Sequence, residues 1–314
     1  MSGTDRILTI ALGDERLVDA VGPVEGVEFV VWDLLSPSPR PEWDLVVPPY
    51  LKPPTLLDAL HGTPVGLVQS QSIGYDGVRD HLPAGVPFAN AATVHEPSTA
   101  ELAVGLAIAA QRGIPDAVRD ADAHRWAPSF RQSLADRRVL LVGAGGVAKA
   151  IEARLAPFEV ELTLVARTAR DVEGPDGATV HVHGIDELPQ LLPTTEILVL
   201  AVPLDASTRG LIGAAELAAL PDGALVLNVA RGPVVVTDAL VAELRSGRLR
   251  AAVDVTDPEP LPADHPLYDC PNLLVTPHVG GASSAMVPRM ARLIRRQIER
   301  MRAGEAPVNV VIDG

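Results

Sequence analysis

Val139-Leu140-Leu141-Val142-Gly143-Ala144-Gly145-Gly146-Val147-Ala148 decides how this chain is read. Four apolar residues, a glycine-rich turn and the opening of a helix follow without a gap, the context that gives a G-x-G-x-x-G/A string its meaning. Gly143 permits the tight turn, and Gly145 lets the backbone approach a pyrophosphate. Gly146 and Val147 begin the helix, whose N-terminal amides favour an anion. Ala148 stands where a third glycine is usual and is small enough to keep the helix packed on the strand. The stretch predicts a dinucleotide site at the carboxyl end of a strand.

Downstream the same rhythm repeats. Apolar runs predict strands over 139–142, 162–165, 197–201, 224–229, 251–255 and 273–276, separated by helices over 147–155, 214–220 and 237–246. Such alternation builds a doubly wound parallel sheet. Upstream, shorter runs at 7–12, 28–32, 45–47 and 65–69, with dense prolines between Pro37 and Pro54, predict a smaller α/β unit with its own parallel sheet. Ser98 followed by Glu101 has the form of a capping box opening a helix to Gln111 that is apolar nearly all round, hence buried on several sides. A last helix over 284–303 carries Met290, Leu293, Ile294, Ile298 and Met301 at helical spacing and stops at Gly304. Its arginines fit a solvated face. A chain of 314 residues is long enough for two domains.

Composition narrows the function. A net charge of -14 repels phosphate backbones, so no nucleic acid partner is expected. Cys270 is the only cysteine, which rules out an intrachain disulfide, and the first residues lack a secretory pattern, so a cytoplasmic address is expected. No apolar stretch reaches the roughly 18 residues of a membrane span. His181 and His183 would share one face of a possible strand, but no third ligand accompanies them. His95-Glu96 lacks the second histidine of a zincin motif, and no G-x-S-x-G elbow is present. No metal is expected.

The position that reads the adenosine ribose lies about 20 residues past the glycine turn, where a carboxylate would select NAD. This chain offers Ala166-Arg167-Thr168-Ala169-Arg170 instead. Arg167 and Thr168, with Arg170 a further candidate, can hold a 2′-phosphate, so NADP(H) is expected to be preferred and NAD(H) to remain possible.

Three later segments end predicted strands with charged residues: Asn228-Val229-Ala230-Arg231-Gly232, then Asp254-Val255-Thr256-Asp257-Pro258-Glu259-Pro260, then Thr276-Pro277-His278-Val279-Gly280-Gly281. Open α/β sheets build their ligand crevice at carboxyl ends of strands. A guanidinium, a carboxylate and an imidazole there suggest acid–base chemistry.

With Val202-Pro203-Leu204, Thr208-Arg209-Gly210-Leu211-Ile212 and Asn90-Ala91-Ala92 leading to Thr99-Ala100-Glu101, these segments resemble the D-isomer-specific 2-hydroxyacid dehydrogenases of the glyoxylate/hydroxypyruvate reductase type, over almost the full chain. The resemblance implies a central Rossmann-type domain over 95–281 and a smaller flavodoxin-like substrate domain from 1–94 with 282–314. It also implies a cleft between them and a homodimer built largely through the central domain. By position, His278 looks like the proton donor to the carbonyl oxygen of a small 2-oxo acid and Glu259 like its orienting partner. Arg231 resembles the residue that grips the acid and polarises its carbonyl. The amides of Ser72, Ile73 and Gly74 match the loop that holds the substrate carboxylate, Gly74 allowing an anion nest. Asp254 and the Ala230 carbonyl resemble contacts to the nicotinamide carboxamide. Val202 and Pro203 resemble the cofactor wall, and Gly280 is carried over as a cofactor contact.

The resemblance leaves two other readings open. One is phosphoglycerate-type oxidation, which would use Lys52 or Arg79 at the substrate's far end. The other is a non-catalytic, dinucleotide-sensing corepressor-like protein. Tyr50, Gln71, Tyr75 and Met286 are expected to shape the substrate pocket.

Overall fold

The computed structural model describes residues 6–173 and 179–314. In chain order the strands are β1 (Leu8–Leu12), β2 (Val27–Val31), β3 (Leu45–Val47), β4 (Val68–Gln69), β5 (Phe88–Ala89), β6 (Arg138–Val142), β7 (Glu161–Ala166), β8 (Arg170–Glu173), β9 (Thr179–Gly184), β10 (Ile197–Leu200), β11 (Leu225–Asn228), β12 (Arg250–Val253), β13 (Leu273–Val275) and β14 (Val310–Ile312). The helices are α1 (Glu15–Val21), α2 (Glu96–Arg112), α3 (Ile114–Asp122), α4 (Gly146–Leu155), α5 (Leu188–Leu191), α6 (Ala214–Ala219), α7 (Thr237–Arg245) and α8 (Met286–Ala303). They divide into two compact units, Met1–His95 with Gly281–Gly314, and Glu96–Gly280.

The second unit holds an eight-stranded sheet in the order β13-β12-β11-β10-β6-β7-β9-β8. Its pairs are parallel except for the edge strand β8, which runs antiparallel to β9. Period-two alternation sorts each buried strand between two cores. Leu140, Val142, Leu198, Leu200, Val226, Ala251 and Val253 face one; Val139, Leu141, Ile197, Val199, Leu225, Leu227 and Ala252 face the other. Both faces of such a sheet must be covered, which is why these strands read as continuous apolar runs. The order reverses between β6 and β10, and at that switch point the carboxyl ends of strands open a crevice.

The first unit has the order β14-β5-β4-β3-β1-β2, a flavodoxin-like 2-1-3-4-5 arrangement with β14 added antiparallel at its edge. Leu8, Ile10, Leu12, Leu45 and Val47 pack under α1 and α8; Ala11 and Val46 face the opposite core. Helix α8 ends at Gly304, whose φ of 67° and amide bonds to the Arg300 and Met301 carbonyls close its last turn. The chain leaves this unit at His95 and re-enters it at Gly281. There the His95 ring nitrogens face the carbonyls of Gly281 (3.1 Å) and Gln71 (2.6 Å), and Tyr50 stacks on the ring.

Two expectations change. Helix α2 begins at Glu96, so Ser98 lies inside it and is no N-cap. Pro97 is tolerated in a first turn because its missing N–H would have no intrahelical partner there. Beyond the expected strands, the sheet also gains a ribbon, β8 with β9, in which β9 pairs with β7 and β8 forms the edge. Neither β5 nor β14 was expected from the sequence, since both are too short to show a period; β5 is held by β4 and β14 on its two sides.

Candidate active site

The glycine turn follows β6 as expected. Gly143 has a φ of 139°, and a Cβ there would lie 2.4 Å from the Ala201 carbonyl oxygen, so no other residue fits. Its closest side-chain neighbour would be Ala148 Cβ at 3.4 Å, which explains why a third small residue is needed. Gly145 is the N-cap of α4 and brings no side chain of its own to the first turn. A Cβ at Gly145 would meet nothing within 4 Å, whereas one at Gly146 would come within 2.9 Å of Glu96. The protein itself does not demand the second glycine, but a group approaching from outside would. The cradle therefore suits the pyrophosphate of a dinucleotide at the start of α4.

After β7, Arg167 and Thr168 are exposed on the ribose-reading loop. The sequence lacks a carboxylate there, but the fold brings one. Asp205, three residues past Val202 on the loop after β10, binds Arg167 Nη2 at 2.7 Å. Ser207 anchors the other Asp205 oxygen through its amide and hydroxyl, at 2.8 and 2.5 Å. Those bonds, with the Arg167 charge, hold the Asp205 carboxyl below its ordinary value. A 2′-phosphate would therefore compete with Asp205 for this guanidinium. Thr208 fixes the same loop by donating from Oγ1 to the Pro203 carbonyl at 2.7 Å and accepting the Asp205 amide.

Arg231, Glu259 and His278 follow β11, β12 and β13, neighbouring strands at one end of the sheet. His278 Nδ1 and Glu259 Oε1 are in direct hydrogen-bond contact. That leaves Nε2 as the ring nitrogen able to exchange a proton with a ligand. Burial pushes the Glu259 carboxyl up, but the bond and charge of His278, the Thr256 amide and the Arg231 guanidinium outweigh it and hold Glu259 below its ordinary 4.5. A carboxyl lowered on folding contributes stability above its unfolded value and loses that contribution as pH falls through the folded one. The difference in urea midpoint between the wild type and Glu259→Gln is therefore expected to be constant at neutral pH and to shrink below about pH 4.5. A difference unchanged across that range would show that the carboxylate is not engaged.

His278 sits at a φ of 52°, a left-handed conformation rare for a residue with a Cβ. Asp254 enforces it. Its carbonyl accepts the His278 amide at 2.8 Å, and its carboxylate accepts Thr276 Oγ1 (2.6 Å), Val279 N (2.9 Å) and Gly280 N (2.8 Å). Asp254, expected to contact the nicotinamide carboxamide, is also a buried clamp on the histidine loop. Gly280 serves the same clamp, since a Cβ there would fall 2.9 Å from Asp254 Oδ2. The Ala230 carbonyl accepts Arg231 Nη1 at 2.7 Å, and Asn228 braces that loop through the Ala230 amide and the Arg231 carbonyl. At Gly232 a Cβ would lie 1.9 Å from the Thr256 carbonyl oxygen, so the Arg231 and Glu259 loops touch backbone to backbone.

In the first unit, the Ser72 amide is given to the Ser70 hydroxyl at 2.9 Å, so it is not part of a three-amide anion nest. The left-handed turn of this loop falls at Gly77 (φ 72°). The Ser72 and Ile73 carbonyls are tied to the Ala91 amide and to Asn90 Nδ2. Gln71 and Met286, expected to shape a pocket, are buried: Gln71 donates to the Pro48 carbonyl, and Met286, the first residue of α8, packs in the first unit's core. Tyr75 is exposed. The pair His181 and His183, for which no third ligand was expected, is joined by Glu187, four residues after His183. Among the described residues, no helix is long and apolar enough to cross a membrane.

Comparison with known proteins agrees with this geometry. The family model for the D-isomer specific 2-hydroxyacid dehydrogenase NAD binding domain matches residues 104–280, more than half of the chain. A glyoxylate reductase of Thermofilum pendens is 32% identical over 255 residues, covering 78% of this chain and 74% of its own. The human glyoxylate reductase/hydroxypyruvate reductase is 31% identical over 237 residues, covering 73% and 71%. The crystal structure of a D-isomer specific 2-hydroxyacid dehydrogenase from Xanthobacter autotrophicus Py2, in complex with NADPH and MES, is 31% identical and superposes with a TM-score of 0.78 over 98% of each chain. With a glycine cradle after β6 and a histidine–carboxylate pair at the ends of β12 and β13, the chain belongs to the D-isomer specific 2-hydroxyacid dehydrogenases, NAD(P)-dependent oxidoreductases.

Proposed function

We propose that this protein reduces small 2-oxo acids of the glyoxylate and hydroxypyruvate type to D-2-hydroxy acids, with NADP(H) preferred to NAD(H). The contact between His278 and Glu259 carries the reading. The bound nicotinamide supplies the hydride to the carbonyl carbon. His278 gives a proton from Nε2 to the carbonyl oxygen, while Glu259 fixes the ring's tautomer and orientation through Nδ1. Arg231 turns from the Ala230 carbonyl to the substrate, where a planar guanidinium suits both carboxylate and developing oxyanion. In the first unit, the Ile73 and Gly74 amides are assigned to the substrate carboxylate. Val202 and Pro203 are assigned to the cofactor wall.

The reading extends to a cytoplasmic homodimer. Trp126 and Phe130 are fully exposed, and Ile114 and Val118 on α3 add apolar surface that a second copy would cover.

A panel of 2-oxo acids assayed with both reduced dinucleotides tests the activity. Turnover of glyoxylate or hydroxypyruvate is the expected result, and no consumption of either dinucleotide with any member would overturn it. For the cofactor, losing a charge-assisted contact to phosphate costs roughly 1.5–3 kcal/mol, about 10- to 100-fold. Arg167→Ala should lower kcat/KM with NADPH by about that factor and change the NADH value little. Asp205→Asn should raise the NADPH value by releasing Arg167. A higher kcat/KM with NADH in the wild type would end the NADP(H) assignment.

A further inference from the structure

The ribbon β8–β9 carries a cluster unconnected with the chemistry above. His181 and His183 lie two residues apart on β9, so their side chains share one face of the strand. Their rings meet edge to face with centroids 4.7 Å apart. Glu187, in the turn just after β9, brings Oε2 to 2.8 Å from His183 Nδ1, while its Oε1 accepts the Gly184 amide at 2.7 Å. One ligand atom from each of His181, His183 and Glu187 lies within 4.8 Å of the other two. From the paired position on β8, Asp171 places Oδ1 2.7 Å from His181 Nδ1. All four side chains are partly open to solvent.

Two imidazoles and the carboxylate from the turn after β9 thus offer three ligand atoms close enough together for one cation to bridge. A neutral His181 that donates a hydrogen bond from Nδ1 to Asp171 presents its Nε2 lone pair to a cation. Histidine ligands are commonly oriented in this way by a carboxylate behind them.

We propose that His181, His183 and Glu187 form a zinc site on the edge of the nucleotide-binding unit, with Asp171 orienting His181 and water completing a tetrahedron. Two imidazoles and one carboxylate suit zinc and related borderline ions, whereas magnesium and calcium require oxygen donors. Bonds of about 2.0–2.1 Å need ligand atoms roughly 3.4 Å apart, within reach of small rotations of side chains at the surface. The ion would lock β8 and β9 against the turn that follows, and it takes no part in hydride or proton transfer.

Titration of the chelator-treated full chain with zinc chloride, followed by calorimetry, tests this without recourse to activity. The expected result is saturation at one zinc per chain, unaffected by a large excess of magnesium. His181→Ala and His183→Ala should each weaken binding at least about 10-fold, and Asp171→Asn about 10-fold through the orienting contact. Cobalt in place of zinc should give the visible absorption of a tetrahedral complex, lost in Glu187→Gln. Absence of saturable binding overturns the proposal, as does binding that the variants leave unchanged. Asp171→Asn changes one exposed side chain by one atom, so the test holds even if a histidine variant folds poorly.

Discussion

Replacing His278 with Ala is expected to lower kcat/KM for 2-oxo acid reduction by about 10²- to 10⁴-fold, the range supplied by a positioned general acid. Dinucleotide affinity, read by fluorescence titration, should stay within about threefold, because the glycine cradle after β6 is untouched. The left-handed backbone complicates the choice of substitution, since Ala at a φ of 52° adds strain while leaving no proton to give. Asn tolerates that region and cannot act as an acid, so His278→Asn separates the two effects. Both variants should fail alike in turnover, and Asn should unfold at the higher urea concentration. Turnover within tenfold of wild type in either variant would remove His278 from the role.

Gly232→Ala should damage the enzyme nearly as much without removing any reacting group. Its Cβ would fall 1.9 Å from the Thr256 carbonyl oxygen, 2.1 Å from the carbonyl carbon and 2.6 Å from the Asp257 amide nitrogen. These are backbone atoms, so no rotamer change relieves the overlap and one of the two loops must move. One loop carries Arg231 and the other Glu259. A displacement of about 1 Å at such a site costs on the order of 100-fold in rate, and overpacking of this kind costs about 1–3 kcal/mol of stability. The expected signature is a loss in kcat/KM for the oxo acid far larger than the change in dinucleotide affinity. Wild-type kinetics in Gly232→Ala would mean that the Arg231 and Glu259 loops are not rigidly coupled.

The strand–turn–helix around Gly143 could be read from sequence because everything that defines it is local: an apolar run, a turn that needs glycine, and a helix opening. Arg231, Glu259 and His278 were legible as a group because each ends an apolar run. What escaped depends on the order of strands in space. Asp205 meets Arg167 across 38 positions of sequence, from loops after β10 and β7, which flank β6. No periodicity carries that information, and the missing carboxylate on the ribose loop looked simpler than it is. Nor does the sequence show that the oxygens of Asp254, expected at the cofactor, also hold the Thr276 hydroxyl and two amides, because those bonds form only in the fold. Met286 looked available for a pocket but opens the last helix with its side chain in the first unit's core.

The seam at His95 and Gly281 has an architectural consequence. The segment between them leaves and rejoins the first unit at neighbouring points, where His95 Nδ1 lies 3.1 Å from the Gly281 carbonyl oxygen. The nucleotide-binding portion is thus a guest in the sequence, its two junctions side by side. A few bridging residues in its place would span the gap, and a guest of that kind can be exchanged between hosts without rerouting either chain.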